Sequence, residues 1–168
     1  MFVVFVTRRH PHPKTPLPTV STIPPSGNSK KGSGAMILPN PWADLTSRPQ
    51  LDLCWGGLPP GQLGATDGQH IWIATGLTVR ERRCTLAHEL VHIDLDLVSD
   101  VTWASEQRVR DVTARRLLPD IDAVASALAG GVDMATASDE LWVTEDVLTD
   151  RLTTLADAER AMLNHIPA

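Results

Sequence analysis

Apolar residues in the middle of the chain recur in two rhythms. From Gln50 they alternate with polar ones, in "QLDLCW", then "QLGAT", then, past Asp67-Gly68, "QHIWIAT". Period two turns one strand face toward a core, and Asp-Gly favours a tight turn, so the stretch predicts a small antiparallel sheet. From Thr78 the period lengthens. Leu86, Leu90, Ile93 and Leu97 lie on one helical stripe, which Ala87, Val91 and Leu95 widen. Thr78-Val79-Arg80-Glu81 stands before it as a capping box, predicting a helix over 79–95. A second helix is predicted over 101–118, stopped by Pro119. Beyond it, "DIDAVASALAGGVDMATASDELWVTEDVLTDRLTTLADAERAML" reads as three or four short helices with a helix-turn-helix-like pattern around Thr144. The fold class expected is α+β: the sheet packed on the two helices, followed by a helical C-terminal bundle.

The first part of the chain has no such rhythm. Residues 10–35 hold six prolines and three glycines, too little apolar area to offset the entropy of ordering them. The expected division is a disordered, basic, proline-rich tail over 1–35, a core over 36–119 and a helical bundle packed on it over 120–168. Charge follows these boundaries: residues 1–35 carry +5 and the remainder −10. Residues 120–168 hold ten acids against Arg151 and Arg160. Phosphate neutralisation supplies most nonspecific DNA affinity, so direct DNA binding is not expected despite the helix-turn-helix-like pattern.

Composition narrows the class further. With 42% hydrophobic and 21% charged residues, and no run near the roughly 18 apolar residues of a spanning helix, no membrane association is expected. "MFVVFV" has no basic residue before it and meets Arg8-Arg9 too soon for a signal-peptide core. A cytoplasmic location is the expectation. The two cysteines, Cys54 and Cys84, leave no room for a disulfide framework.

The candidate chemistry lies in "CTLAHELVHIDLD". His88-Glu89-Leu90-Val91-His92 is an HExxH pattern: two imidazoles one helical turn apart face one ion, and Glu89 lies beside them as a general base that does not ligate. Histidines inside an otherwise apolar helix are costly unless ligated or hydrogen-bonded. A third ligand is available in Glu106, which falls on one line with Val109, Thr113 and Leu117 and so points along a buried stripe. Asp94 and Asp96 are rival third ligands, Asp96 the stronger because it comes one turn after His92.

Taken together, "ERRCTLAHELVHIDLD" and "EQRVRDVTARRLLP" resemble the ImmA/IrrE family of zinc metallopeptidases, often found in phages and prophages, over about residues 42–160. The family's glutamate thirteen residues before a proline is matched by Glu106 and Pro119. Its usual Ala-Asn is Val109-Arg110 here, and its small-aromatic-small core is Val112-Thr113-Ala114. The resemblance implies a zincin-like, gluzincin-like core over 36–119 with zinc on His88, His92 and Glu106 and Glu89 as the catalytic base. It also implies a protein substrate, a DNA-binding transcriptional repressor of the phage-immunity kind, cleaved to relieve repression. The alternative is a non-proteolytic binding protein that docks on a repressor or toxin with a retained zinc fold; an intact Glu89 argues against it, since docking needs no base.

Other residues have plainer readings. Cys84 is expected to be a buried free thiol, His70 an exposed histidine at a strand end, and the five tryptophans core anchors. The strand over 70–74 is a candidate edge for an extended substrate. The chain has no tyrosine, so no tyrosine can stabilise an oxyanion.

Overall fold

The computed structural model describes residues 38–99 and 101–163; the segment 1–35, expected to be disordered, lies outside them. Among these residues the architecture is α+β. The chain runs through α1 (Pro41–Thr46), β1 (Asp52–Trp55), β2 (Gly64–Thr66), β3 (His70–Ile73), α2 (Val79–Asp94) and α3 (Trp103–Leu117). It continues through α4 (Ile121–Leu128), a 3-10 turn (Ala129–Gly131), α5 (Met134–Glu140), α6 (Glu145–Thr153) and α7 (Asp157–Leu163).

The sheet differs from the antiparallel one expected. Its order is β1-β3-β2, with β3 antiparallel to β2 but parallel to β1. The β2–β3 hairpin follows from local chemistry: Gly68 takes φ 90° and the Asp67 carboxylate accepts from the Gln69 and His70 amides at 2.9 and 2.7 Å. The β1 pairing does not. After β1, Gly56 and Gly57 adopt φ 76° and 75°, conformations open to glycine at little cost. The chain then crosses to the far side and returns as β2, leaving a slot that β3 fills. Alternation along a strand says which face is buried but not which neighbour it pairs with.

The helix α2 begins as its capping box predicts. The Thr78 hydroxyl accepts from the Glu81 amide at 3.2 Å, and the Glu81 carboxylate accepts from the Thr78 amide at 2.8 Å. Two apolar clusters share this helix. One joins Leu86 and Leu90 to Leu51, Ile71 and Ile73 beneath the sheet. The other joins Cys84 and Ala87 to Ala114 and Leu117 of α3 and to Val124, Leu141 and Leu148 of the later helices. Each fully buried leucine or isoleucine contributes about 1.5–3 kcal/mol, so α2 is held from two sides. Residues before and after Pro119 share the second cluster.

Of the tryptophans expected as core anchors, Trp42 alone packs against a core cluster, that of Leu51, Ile71 and Leu86. Trp103, Trp142 and Trp55 are 82%, 44% and 37% exposed, and Trp42 and Trp72 are only half-buried. Trp55 stacks on Trp42 with Arg82 over its other face, and Arg83 lies over Trp142. Indoles here serve as platforms for guanidinium groups at the surface, while leucine, isoleucine and valine fill the interior.

Candidate metal centre

The capping box fixes where α2 starts, and with it the register that stacks His88 below His92. Their Nε2 atoms face each other at 3.1 Å. A second box, in which Thr102 and Ser105 bond each other's amides, starts α3 and puts Glu106 in its first turn. Val109, Thr113 and Leu117, on the same line as Glu106, are buried. Their packing brings the Glu106 carboxylate to His88 and His92: Oε1 lies 3.1 Å from His88 Nε2, and Oε2 lies 3.3 Å from His92 Nε2. A tetrahedral ion with bonds of about 2.0–2.1 Å holds its donors about 3.3–3.4 Å apart. Each histidine thus meets a different carboxylate oxygen near that spacing, and with one ligand atom from each residue the three donors lie within 4.8 Å of one another, so His88, His92 and Glu106 together could hold a metal ion.

Neighbouring groups prepare these donors. The His92 Nδ1 lies 2.8 Å from the Leu97 carbonyl, which accepts the ring proton and leaves Nε2 bare for a metal. That carbonyl is delivered by the end of α2. Asp96 takes the left-handed conformation, φ 54°, while the Leu97 amide bonds the His92 carbonyl and the Asp96 amide bonds the Ile93 carbonyl. This is the Schellman arrangement, usually closed by glycine. Asp96 thus faces solvent and is not part of the donor group. Nor is Asp94, which pairs with Arg48 of the α1 side and with Arg116 of α3. Of the three carboxylates weighed as third ligand, the structure brings only Glu106 to the histidines.

Burial and charge divide the two site glutamates. Burial pushes the Glu106 carboxyl up, but contacts with both histidines outweigh it and hold the pKa down at about 2. This group is an anion at neutral pH. Glu89 is 1% exposed, and neither carboxyl oxygen has a hydrogen-bond partner. Burial raises its pKa to about 7, against the pull of His88 and His92 and with a further push from Glu106. An orphaned buried carboxyl beside a converging donor set fits a site built around a cation.

A solvent-open cleft of about 440 Å³ adjoins Glu89, walled by α2, α3, α6 and β2. Most of its residues carried no functional expectation, Gly64, Arg110, Asp150 and Thr113 among them. Gly64 lets β2 approach α2: a Cβ there would lie 2.5 Å from both Glu89 Oε1 and Thr85 Cγ2. Arg110 of α3 and Asp150 of α6 form a bidentate pair at the wall, 2.9 and 2.7 Å, and the buried Thr113 lines the floor beside Cys84. A lone glycine in "QLGAT" was a possible signal of close backbone approach. The pairing of Arg110 with a residue 40 positions away left no local trace.

The expected edge at 70–74 is corrected by the strand order: β3 is central, bonded on both sides. The edge beside the site is β2. Leu63 and Asp67 bond toward β3, so Gly64 and Thr66, out of phase with them, turn their backbone groups outward. The Gly64 carbonyl accepts from the Gln62 side-chain amide at 3.0 Å. His70 is half-exposed and pairs with Asp67, away from the donor group. Cys84 is buried, its thiol pKa pushed up by burial. Among the described residues no helix is long and apolar enough to cross a membrane. No protein-family model, curated protein or solved structure matches this chain.

Proposed function

We propose that this chain is a zinc-dependent endopeptidase of the HExxH kind, the activity that its resemblance to the ImmA/IrrE family implies. One observation carries the reading: donor atoms of His88, His92 and Glu106 converge within 4.8 Å of one another beside the buried, unpartnered carboxyl of Glu89. Two imidazoles and one carboxylate form a donor set suited to catalytic zinc, which keeps a fourth position open. Zinc, when bound, supplies Lewis acidity that polarises a carbonyl and makes water a better nucleophile at neutral pH.

The chain's own residues do the rest. Glu89, whose buried carboxyl has no hydrogen-bond partner, is placed to accept a proton from the attacking water and return it to the leaving amine. The β2 residues are buried in the free protein, and their outward backbone groups at Gly64 and Thr66 offer an extended substrate a short strand to pair with once the edge opens. The cleft beyond Glu89 receives a substrate side chain. The proposed substrate is a DNA-binding transcriptional repressor of the phage-immunity kind, cut in the cytoplasm to release its genes. The acidic balance of residues 120–168 supports a protein partner over DNA.

Two measurements test this. Elemental analysis of the purified protein should find about one zinc per chain, strongly reduced in Glu106→Ala and little changed in Asp96→Asn, which removes the carboxylate and keeps the left-handed turn. Incubation with the product of a neighbouring repressor gene should give defined fragments by mass spectrometry. A protein that stays metal-free after zinc incubation, or a zinc-loaded protein that leaves the repressor intact while binding it, would reject the peptidase reading.

A further inference from the structure

We infer that Arg110 is the group that binds the substrate carbonyl oxygen and its developing negative charge, with Asp150 as the residue that aims it. The inference rests on the peptidase reading and adds to it a role for the arginine.

Position comes first. Arg110 lies one turn after Glu106 on α3 and lines the cleft with His88 and Glu89. Orientation comes next. Nε and Nη2 donate to Asp150 Oδ2 and Oδ1, which occupies one edge of the guanidinium and fixes its plane. Three of its five N–H groups remain, and Nη1 has no protein partner among the described residues. The side chain is 30% exposed and Asp150 only 11%, so the anchor is inside and the free edge is at the opening.

The inventory of the cleft then narrows the choice. Arg110 is the sole lysine or arginine among the lining residues, and the chain has no tyrosine. Of the described histidines, two belong to the donor group and His70 lies apart. A guanidinium stays protonated at working pH, so it donates hydrogen bonds without giving up a proton. The reaction balances without it: water oxygen adds to the carbonyl carbon, Glu89 takes one water proton, the C–N bond breaks, and that proton goes to the amine. The charge that appears on the carbonyl oxygen in between is what Arg110 stabilises.

A salt bridge that only pinned α6 to α3 would share this geometry, so the test must separate the two roles. The zinc-loaded full chain is titrated calorimetrically with two probes of equal side chains. One is an N-acyl phosphinic dipeptide, whose oxygens imitate the oxyanion; the other is a mercaptoacyl dipeptide, which has none. Arg110→Gln should weaken the phosphinate about 100-fold and leave the thiol ligand and zinc content unchanged, while the unpaired Asp150 lowers the melting temperature. Asp150→Asn and Arg110→Lys, which keep a positive charge but lose its aim, should weaken the phosphinate by about 10-fold, between the two limits. If Arg110→Gln folds poorly, the Arg110→Lys pair of titrations decides. Equal loss of both probes would show a pin only, and unchanged phosphinate affinity would reject the role outright. A zinc-loaded wild type that binds neither probe would overturn this inference together with the peptidase reading.

Discussion

Replacing Glu89 by glutamine should change how the stability of the metal-free protein depends on pH. Burial raises the Glu89 carboxyl from its ordinary 4.5 to about 7. Between those values the folded protein keeps a proton that the unfolded chain has released. Where the native state binds more protons than the unfolded one, stability falls as pH rises. Below pH 4.5 both states are protonated and the contribution is constant; above about 7 both are ionised and the loss is complete. A gap of roughly 2.5 units at about 1.36 kcal/mol per unit amounts to about 3 kcal/mol. Glutamine has a similar shape and no proton to lose, so this slope disappears in the variant. Glu106 titrates in both proteins and largely drops out of the difference, whereas His92, whose raised pKa owes part to the Glu89 charge, falls toward its ordinary value in the variant. Urea denaturation in the presence of a chelator, from pH 4.5 to 8, measures it. The variant should gain on the wild type by about 3 kcal/mol across that range. Parallel curves, or a wild type that gains as pH rises, would refute the assignment of an orphaned buried carboxyl.

Gly64→Ala should cost about 1–3 kcal/mol by overpacking against Glu89 and Thr85; an unchanged urea midpoint would show that β2 does not lean on α2 so closely. Asp96→Val, a β-branched residue in the left-handed region, should cost about 1–2 kcal/mol and weaken zinc binding in a chelator competition, because the Leu97 carbonyl would leave His92. Asp96→Gly should do neither, and equal behaviour of the two variants would dissociate the turn from the ligand.

The helices that carry the donors were legible because their signals are local. The Thr78 capping box, a 3.6-residue stripe and a proline are all written within one segment, as is the spacing of His88, Glu89 and His92; the box of Thr102 and Ser105 went unread. Glu106 could be read from the buried line it opens, but its choice over Asp96 needed the turn that sends Asp96 to solvent. Pairing across the sheet was not legible, since β3 lies between β1 and β2 and alternation along a strand does not name its neighbour. The same holds for Arg110, whose partner Asp150 arrives on α6 through the packing of Leu148 and Val147. The tryptophans misled because size suggests burial, whereas an indole also gains from a guanidinium at the surface.

The Gln62 amide on the Gly64 carbonyl has a bearing on selectivity inside a crowded cell. An unpaired strand edge is a template for any extended chain, including a second copy of the same protein. Here the Gly64 acceptor is already satisfied and all three β2 residues are buried, so an incoming strand must open the edge and release one neutral hydrogen bond to make another. Such an exchange yields little net free energy. Backbone pairing alone then gives a passing polypeptide no lasting hold, and affinity must come from side chains that enter the cleft beyond Glu89. The three-residue edge thus ignores unfolded chains in general while remaining open to one whose sequence fits.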